Sequence, residues 1–165
     1  MRIGIDLDRV LFDTDSFDDF YKDKVEGLHH VEDPAPVRHG CYDPEMHAEI
    51  CGIPKQRIWN VFDHDLSDFV FADVDILDQL SNHELILVTR GHQKFQKRKA
   101  EASGIAEKMD EVHVVQEEPK DSVEIDLLVD DSDEELERVR VPGIQIKRPG
   151  EGLEKILKEL EDLEA

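Results

Sequence analysis

The sequence predicts an open α/β sheet of about five parallel strands, covered by helices on both faces so that three layers form. Short, nearly continuous apolar runs recur along the chain, and helical patterns separate most of them. Such runs are typical of parallel strands that are buried on both faces. Strands that alternate with helices imply right-handed crossovers within one sheet. Apolar residues make up 39% of the 165 residues, which is enough for one sizeable core.

The predicted elements follow in chain order. The first strand is the apolar run that ends at Asp6, and the other predicted strands cover residues 84–89, 111–115, 126–130 and 143–147. Predicted helices cover residues 93–103, closed by Gly104, then 134–139 and 152–163. We therefore expect residues 1–13 and 81–165 to form the α/β core.

Residues 14–80 interrupt the alternation of strands and helices. Their pattern predicts helices over residues 16–25, 44–51 and 54–62, with a proline-bearing loop around residues 33–37 and no strand of the main sheet. Ligands of open α/β sheets bind beyond the carboxyl ends of the strands. We expect residues 14–80 to form a small helical cap over that position.

The charge and composition exclude several classes of function. The formal net charge is -21, which argues against binding a nucleic-acid polymer, because Lys and Arg hold phosphate backbones. An anionic substrate would need local cations to draw it in, and an acidic protein suited to a salt-rich environment remains open. No apolar run approaches the roughly 18 residues of a membrane span, and no leader sequence is visible, so we expect a cytoplasmic protein with two reduced cysteines. The oligomeric state stays open.

Polar residues gather at the predicted ends of the strands. They are Asp6 and Asp8 after the first strand, Thr89 and Arg90 after the second, Lys120 after the third, and Asp130 and Asp131 after the fourth. Carboxyl ends of parallel strands meet at one edge, so these side chains should converge there. Neighbouring carboxylates repel unless a cation or a shared proton holds them. The pattern therefore indicates a metal and a reactive carboxylate.

In order and spacing, these residues resemble the four motifs of the haloacid dehalogenase-like (HAD) hydrolase superfamily. The matching segments are DLDRVLFD, LVTRG, PKDSV and LLVDDSDEE, and the resemblance covers residues 2–147. It implies a Rossmann-like core and a Mg²⁺-dependent phosphatase that acts on a small phosphate ester. A phosphomutase, a nucleotidase, a dehalogenase or a non-catalytic module that binds phosphate ligands remain alternatives on the same fold.

The resemblance also implies roles for four catalytic residues. Asp6 would attack phosphorus to form an aspartyl-phosphate, and Asp8 would protonate the leaving oxygen and then deprotonate water. Thr89 would hydrogen-bond a phosphoryl oxygen, and Lys120 would bridge the phosphate and Asp6. The alternative for Lys120 is a surface lysine, because the ten residues between its flanking predicted strands are few for a crossover helix.

The metal ligands are implied in the same way. Mg²⁺ would be held by Asp6, by the backbone carbonyl of Asp8 and by Asp131, because this ion prefers oxygen ligands. Asp130 would orient Asp131 or a bound water.

Two arginines distinguish this chain from the usual pattern. Arg9 stands where the superfamily often has glycine, and Arg90 directly follows Thr89. We expect one or both to line the entrance and attract an anionic substrate. The alternative is a solvent-facing arginine paired with one of the many acids.

A second group of candidate ligands lies in the predicted cap. His39, Cys41, His47 and Cys51 fall within 13 residues, and the last two would share one helical face. Such side chains bind zinc in some proteins, but the usual paired cysteines are missing, so a small buried cysteine and an ordinary histidine remain the alternative.

Overall fold

The computed structural model describes residues 1–31 and 35–164. Its strands are β1 (Arg2–Ile5), β2 (Val37–Arg38), β3 (Cys41–Tyr42), β4 (Glu84–Arg90), β5 (Glu111–Val115), β6 (Leu127–Asp130) and β7 (Gly143–Gln145). Its α-helices are α1 (Thr14–Lys24), α2 (Pro44–Cys51), α3 (Lys55–Trp59), α4 (Gln93–Ala102), α5 (Asp133–Arg138) and α6 (Glu154–Glu164). Short 3₁₀ helices cover Asn60–Asp63, Ser67–Phe69, Ala72–Leu80, Ile105–Lys108 and Lys120–Ser122.

Five strands form one parallel sheet in the order β5-β4-β1-β6-β7, which confirms the predicted fold class. Both faces of the sheet are covered, as the apolar runs predicted. In β4, Leu85 and Leu87 pack into the larger hydrophobic cluster, whereas Ile86 and Val88 pack into a smaller cluster on the opposite face. This alternation follows from the two-residue period of a strand. The sheet is therefore the middle of three layers.

The connection from β5 to β6 is short and carries Lys120. Strands β4 and β1 lie between β5 and β6, so the chain crosses roughly three strand spacings, or about 14 Å. Eleven residues (116–126) span that distance through several bends and a 3₁₀ turn at Lys120–Ser122. A crossover helix is not needed, and Lys120 is buried with 2% exposure.

The insertion between β1 and β4 contains the three predicted helices: α2 has the predicted ends, and the other two have shifted ends. Helix α1 begins at Thr14 because Asp13 caps it, and the third predicted helix divides into α3 and a 3₁₀ segment. No residue described between 14 and 80 joins the main sheet, as predicted. Of the predicted loop around residues 33–37, Asp33 and Pro34 lie outside the described residues. The apolar side chains of the insertion share one cluster with those of the sheet, and the division into two domains at residues 13 and 80 stays a prediction.

A small antiparallel hairpin, β2–β3, was not predicted. Its turn residues His39 and Gly40 both have positive φ, 54° and 76°, which is the geometry of a tight hairpin turn. Strands of two residues are too short to give a periodic pattern, so only the His-Gly pair marks this turn in the sequence.

An ion pair fastens the end of the insertion to the segment after β7. Asp73 accepts hydrogen bonds from both terminal nitrogens of Arg148, at 2.9 and 2.7 Å, and also from the backbone of Leu153. The Arg148 guanidinium lies over the ring of Phe71 and donates to the carbonyl of Val10. Burial opposes ionisation of Asp73, but the bonds from Arg148 prevail and lower its pKa.

No helix in residues 1–31 or 35–164 has the length and apolar character needed to cross a membrane.

We expect Asp73→Ala to lower the free energy of unfolding by about 3 kcal/mol, because it leaves the partly buried Arg148 without its carboxylate. The measurement is urea unfolding at pH 7. Asp75→Ala is the matched control, because Asp75 lies in the same 3₁₀ segment, is 81% exposed and forms a surface ion pair with Lys108. Equal losses in the two variants would contradict the proposed importance of the Asp73–Arg148 pair.

Candidate active site

The end of β1 leads into a tight turn that presents two carboxylates. The carbonyl of Leu7 accepts hydrogen bonds from the backbone of Leu11 and Phe12, at 3.1 and 3.0 Å. This turn follows Asp6 and holds Asp8 at the edge of the sheet. Arg9 lies within it at φ 65°, a left-handed conformation that favours glycine.

Lys120 joins two of the predicted carboxylates. Its ammonium donates to Asp6 Oδ1 at 2.8 Å and to Asp130 Oδ2 at 2.6 Å, and all three side chains are almost completely buried. The carboxylates raise the pKa of Lys120 against the opposing effect of burial, so the lysine stays charged. Glu135 lies a further 3.8 Å from the ammonium. Lys120 is therefore not a surface lysine.

Asp6, Asp130 and Asp131 could together hold a metal ion. Each offers an oxygen, and these oxygens lie within 4.8 Å of one another. Asp130 already accepts bonds on both oxygens, from Lys120 and from the backbone of Ser132. Asp6 and Asp131 are thus better placed to give an oxygen to a cation, and a set of carboxylate oxygens suits a hard divalent ion.

The electrostatics of this group also favour a cation. Burial raises the pKa of Asp6 well above its ordinary range, and the charges of Asp130 and Asp8 raise it further against the opposing effect of Lys120. Burial and the neighbouring Asp130 likewise raise the pKa of Asp131. Carboxyls in this position gain from a bound cation, which relieves their repulsion.

Asp8 has a different environment, built largely from helix α4. Lys99 donates to Asp8 Oδ1 at 2.6 Å, and Gln96 donates to Asp8 Oδ2 at 2.8 Å. Thr14, at the start of α1, adds a third bond at 2.9 Å. Burial alone would raise the pKa of Asp8, but Lys99, through its charge and hydrogen bond, is the largest influence that lowers it.

Gln96 also connects Asp8 to Thr89. Its amide nitrogen donates to the Thr89 hydroxyl oxygen at 2.6 Å, and Thr89 is fully buried at the end of β4. Because the oxygen accepts from Gln96, the Thr89 hydroxyl hydrogen can point toward another acceptor. Thr89 has no exposed surface, and its contact with a phosphoryl oxygen stays a prediction.

The two predicted arginines differ in how firmly they are held. Arg90 makes a two-bond contact with Glu135, at 2.7 and 2.8 Å, and donates to the carbonyl of Gln116. Arg9 makes a single bond to Asp15, and both of those side chains are more than half exposed. The guanidinium of Arg9 is consequently the freer of the two.

Two cavities meet at this edge of the sheet. One, of about 520 Å³, is lined by Asp6, Lys120, Asp130 and the acids that begin α5, and we call it the acidic cleft. The other, of about 610 Å³, lies between the insertion and α4 and is lined by Tyr21, Tyr42, Phe95 and Lys99 among others; we call it the insertion cavity. Three residues, Asp8, Arg9 and Arg90, line both.

A chain of hydrogen bonds forms part of the wall of the insertion cavity. The His47 Nε2 atom lies 2.8 Å from the carbonyl of His29, which only accepts, so Nε2 carries a hydrogen. In the neutral ring, Nδ1 then accepts from the Tyr42 hydroxyl, whose oxygen lies 2.8 Å from that of Tyr21. The side chains of Tyr21, Tyr42 and His47 therefore bond to one another and to the His29 carbonyl.

His47 consequently has no ring nitrogen left for zinc. Cys51 donates to the His29 carbonyl, and His39 contacts Glu117 instead. Within residues 1–31 and 35–164, the one group of three or more metal-ligating side chains with close ligand atoms is Asp6, Asp130 and Asp131.

The sequence interpretation missed Gln96, Lys99 and Glu135. The sequence did contain a signal for Gln96 and Lys99. They share the buried face of α4 with Phe95 and Ala100. Two polar residues on such a face of a short, highly charged helix indicate a polar site beneath it. Glu135 had no such pattern, because it lies in a run of acids at the start of α5.

Comparison with solved structures establishes the fold. A protein of Burkholderia xenovorans assigned as a haloacid dehalogenase-like hydrolase matches with a TM-score of 0.69 at 16% identity, over 94% of this chain and 84% of that one. The L-2-haloacid dehalogenase of Xanthobacter autotrophicus, with chloropropionic acid covalently bound, matches with a TM-score of 0.61 at 14% identity, over 98% and 82%. The HAD-hydrolase YfnB of Bacillus subtilis, bound to magnesium, matches with a TM-score of 0.59 at 13% identity, over 97% and 98%.

No protein-family model matches the sequence, and no curated protein matches it either. The structural matches show that the chain has the fold of haloacid dehalogenase-like hydrolases, as the sequence resemblance implied. The buried acidic group and a magnesium-bound structure of the same fold are consistent with a divalent metal.

We expect millimolar Mg²⁺ to raise the thermal unfolding midpoint of the metal-free protein by about 5 °C, because only the folded state assembles Asp6, Asp130 and Asp131. Asp131→Asn should abolish this rise and should not lower the metal-free midpoint, since it removes a repulsive charge. Asp78→Asn, at a 70% exposed carboxylate remote from the group, should keep the rise. A Mg²⁺ response that persists in Asp131→Asn would contradict the assignment of the site.

Proposed function

We propose that the protein is a divalent-metal-dependent phosphohydrolase that cleaves a small phosphomonoester through an aspartyl-phosphate on Asp6. The observation that supports this most is the convergence of four side chains on the acidic cleft, namely Asp6, Asp8, Lys120 and Asp131. The buried Thr89 lies next to them and is connected to Asp8 through Gln96. Phosphoryl transfer requires positioning and neutralisation of charge, and this set offers both.

Asp6 is the nucleophile in this proposal. One of its oxygens forms a bond to phosphorus while the bond from phosphorus to the leaving oxygen breaks. Lys120, 2.8 Å from Asp6 Oδ1, fixes the carboxylate and brings a buried positive charge to the phosphoryl group. Thr89 orients a phosphoryl oxygen through its hydroxyl.

Asp8 handles the protons. The leaving oxygen takes a proton from Asp8, and Asp8 then removes a proton from the water that attacks the aspartyl-phosphate. The incoming phosphate is itself anionic, and a nearby negative charge favours the protonated form of a carboxyl group. This effect opposes that of Lys99, which lowers the pKa of Asp8 in the free protein.

A divalent ion such as Mg²⁺ would be held by Asp6, Asp131 and the backbone carbonyl of Asp8. When bound, it supplies positive charge that favours the ionised form of Asp6 and neutralises phosphoryl oxygens.

The leaving group would occupy the insertion cavity. Asp8 lines both cavities, so an ester oxygen beside Asp8 would separate a phosphoryl group in the acidic cleft from an organic group next to Tyr42 and Phe95. Most of the exposed wall is apolar, although charged residues such as Asp18 and Lys22 also line it, and its two tyrosine hydroxyls bond to each other and to His47. An organic group of moderate size fits this wall.

A screen of phosphate release from small phosphomonoesters, with Mg²⁺ or with EDTA, tests the proposal. We expect phosphate release in the presence of Mg²⁺ and none in the presence of EDTA. We also expect kcat to fall by more than about 10³-fold in Asp6→Asn, because an amide does not attack phosphorus. Asp78→Asn is the control and should retain full activity.

Other results would contradict the proposal. Turnover by Asp6→Asn equal to wild type would rule out the covalent step. Chloride release from 2-chloropropionate without phosphate release would indicate a dehalogenase, and a phosphorylated product in place of inorganic phosphate would indicate a phosphomutase. If no ester releases phosphate and the protein binds inorganic phosphate, the protein would be a module that binds phosphate ligands without catalysis.

Arg9 is proposed to attract the substrate at the entrance. It lines both cavities, it is 53% exposed in its side chain, and it occupies a left-handed conformation that costs a non-glycine residue about 1 kcal/mol. A strained arginine at the mouth of an acidic site is explained if its charge is needed there.

We expect Arg9→Gly to raise KM for a phosphate ester about fivefold while it preserves or increases the free energy of unfolding by up to about 1 kcal/mol. The loss of charge raises KM, and the relief of strain stabilises the fold. Arg9→Lys is the control and should keep KM within about twofold of wild type, since the charge remains. An unchanged KM in Arg9→Gly would show that Arg9 is only a surface residue paired with Asp15.

A further inference from the structure

Lys99 is a buried cation that the motif pattern does not assign. It lies on α4, 3% exposed, with its ammonium 2.6 Å from Asp8 Oδ1. Three aromatic rings surround the ammonium, with their centroids at 5.3 Å for Phe95, 5.6 Å for Phe12 and 5.9 Å for Phe17. Among the described residues, Asp8 is the carboxylate with which it forms an ion pair.

The position of Lys99 relative to the two cavities is informative. It lines the insertion cavity but not the acidic cleft, whereas Asp8 lines both. Lys120 has the opposite placement, because it lines the acidic cleft only. The two buried lysines therefore stand on opposite sides of the point where the ester bond would lie.

The contacts of Lys99 leave hydrogens for a ligand. An ammonium has three hydrogens, and Asp8 accepts one of them. Aromatic faces attract the charge without acting as ordinary acceptors, so they hold the group in place at little cost to its donors. Asp8 also accepts hydrogen bonds from Gln96 and Thr14, so it does not depend on Lys99 alone for its orientation.

We propose that Lys99 is a catalytic residue whose ammonium stabilises the negative charge that develops on the leaving oxygen as the phosphorus–oxygen bond breaks. This inference rests on the proposed phosphohydrolase function. The bond from Asp6 to phosphorus forms, the ester bond breaks, and its electron pair stays on the leaving oxygen. That oxygen takes its proton from Asp8, while Lys99 donates a hydrogen bond and keeps its own proton. A preorganised cation in a site poor in water stabilises such charge strongly.

The dependence of the rate on the leaving group tests the proposal. A series of para-substituted phenyl phosphates keeps the shape of the substrate nearly constant while it changes the charge that the leaving oxygen must carry. p-Nitrophenolate needs little help, whereas p-methoxyphenolate needs more. The variants are Lys99→Met and Lys99→Gln, which remove the charge, and Lys99→Arg, which retains it. Lys94→Met is the matched control, because Lys94 lies on the same helix over the Trp59 ring.

We expect Lys99→Met to lower kcat for p-methoxyphenyl phosphate about 30-fold and for p-nitrophenyl phosphate about threefold. Lys99→Gln should behave in the same way, Lys99→Arg should recover part of the loss, and Lys94→Met should match wild type. Unfolding midpoints within a few degrees of wild type for at least one of the two uncharged variants establish that the fold is kept.

A merely structural Lys99 gives a different result. If Lys99 acted only by orienting Asp8, Lys99→Met would cause no further leaving-group-dependent loss of kcat in an Asp8→Asn background, and that outcome would overturn the inference while the proposed function stood. A rise in KM with unchanged kcat would mean that Lys99 binds the ground state, which also overturns it. If the wild-type protein hydrolyses none of the esters, the proposed function and this inference are both overturned.

Discussion

The contact of Lys120 with Asp6 and Asp130 is the interaction on which the rest of the site depends. A parallel sheet delivers strand ends to one edge, and in this chain the strand ends are acids, which repel one another when they are buried. The Lys120 ammonium lies within 2.8 Å of both carboxylates and offsets that repulsion at 2% exposure. Lys120 reaches them from a 3₁₀ turn in the short β5–β6 connection.

The buried lysines also show how a strongly acidic protein can present a site to an anion. The net charge of -21 repels a phosphate ester at a distance, and surface lysines would be screened by salt. Inside the site, Lys99 and Lys120 are both below 5% exposure, where screening is weak. Arg90 joins this arrangement through Glu135, which lies near Lys120 as well. For an anion in the acidic cleft or the insertion cavity, the positive charges near it thus include these few shielded cations, which lie among the acids that line the cleft.

The sheet and its strand-end residues were predictable because both depend on local sequence. Buried parallel strands leave continuous apolar runs, and the residues that follow them share an edge whatever the detail of the connections. The partners of those residues were harder to predict, because they depend on packing between distant segments: Lys99 meets Asp8 across 91 residues and Glu135 meets Arg90 across 45. Arginine itself gives no indication of the positive φ of Arg9, and the one indication is that the resembling sequences often have glycine at this position. The β2–β3 hairpin is too short to leave a pattern.

Asp6 and Asp8 differ in their surroundings even though they are two residues apart. Each has its own lysine: Lys120 holds Asp6 among other acids, whereas Lys99 holds Asp8 among aromatic rings. Burial and acidic neighbours raise the pKa of Asp6, and donors lower that of Asp8. Taken alone, these directions are the reverse of what a nucleophile at Asp6 and a proton donor at Asp8 need, and the proposed function requires a cation bound at Asp6 and an anionic phosphate beside Asp8 to offset them. Displacement of a halide from carbon needs only the nucleophile of this pair, because halide leaves without a proton. Under the proposed function the second carboxyl has a role, because the oxygen of a phosphate ester must be protonated as it leaves, whereas halide displacement would give Asp8 no proton to transfer.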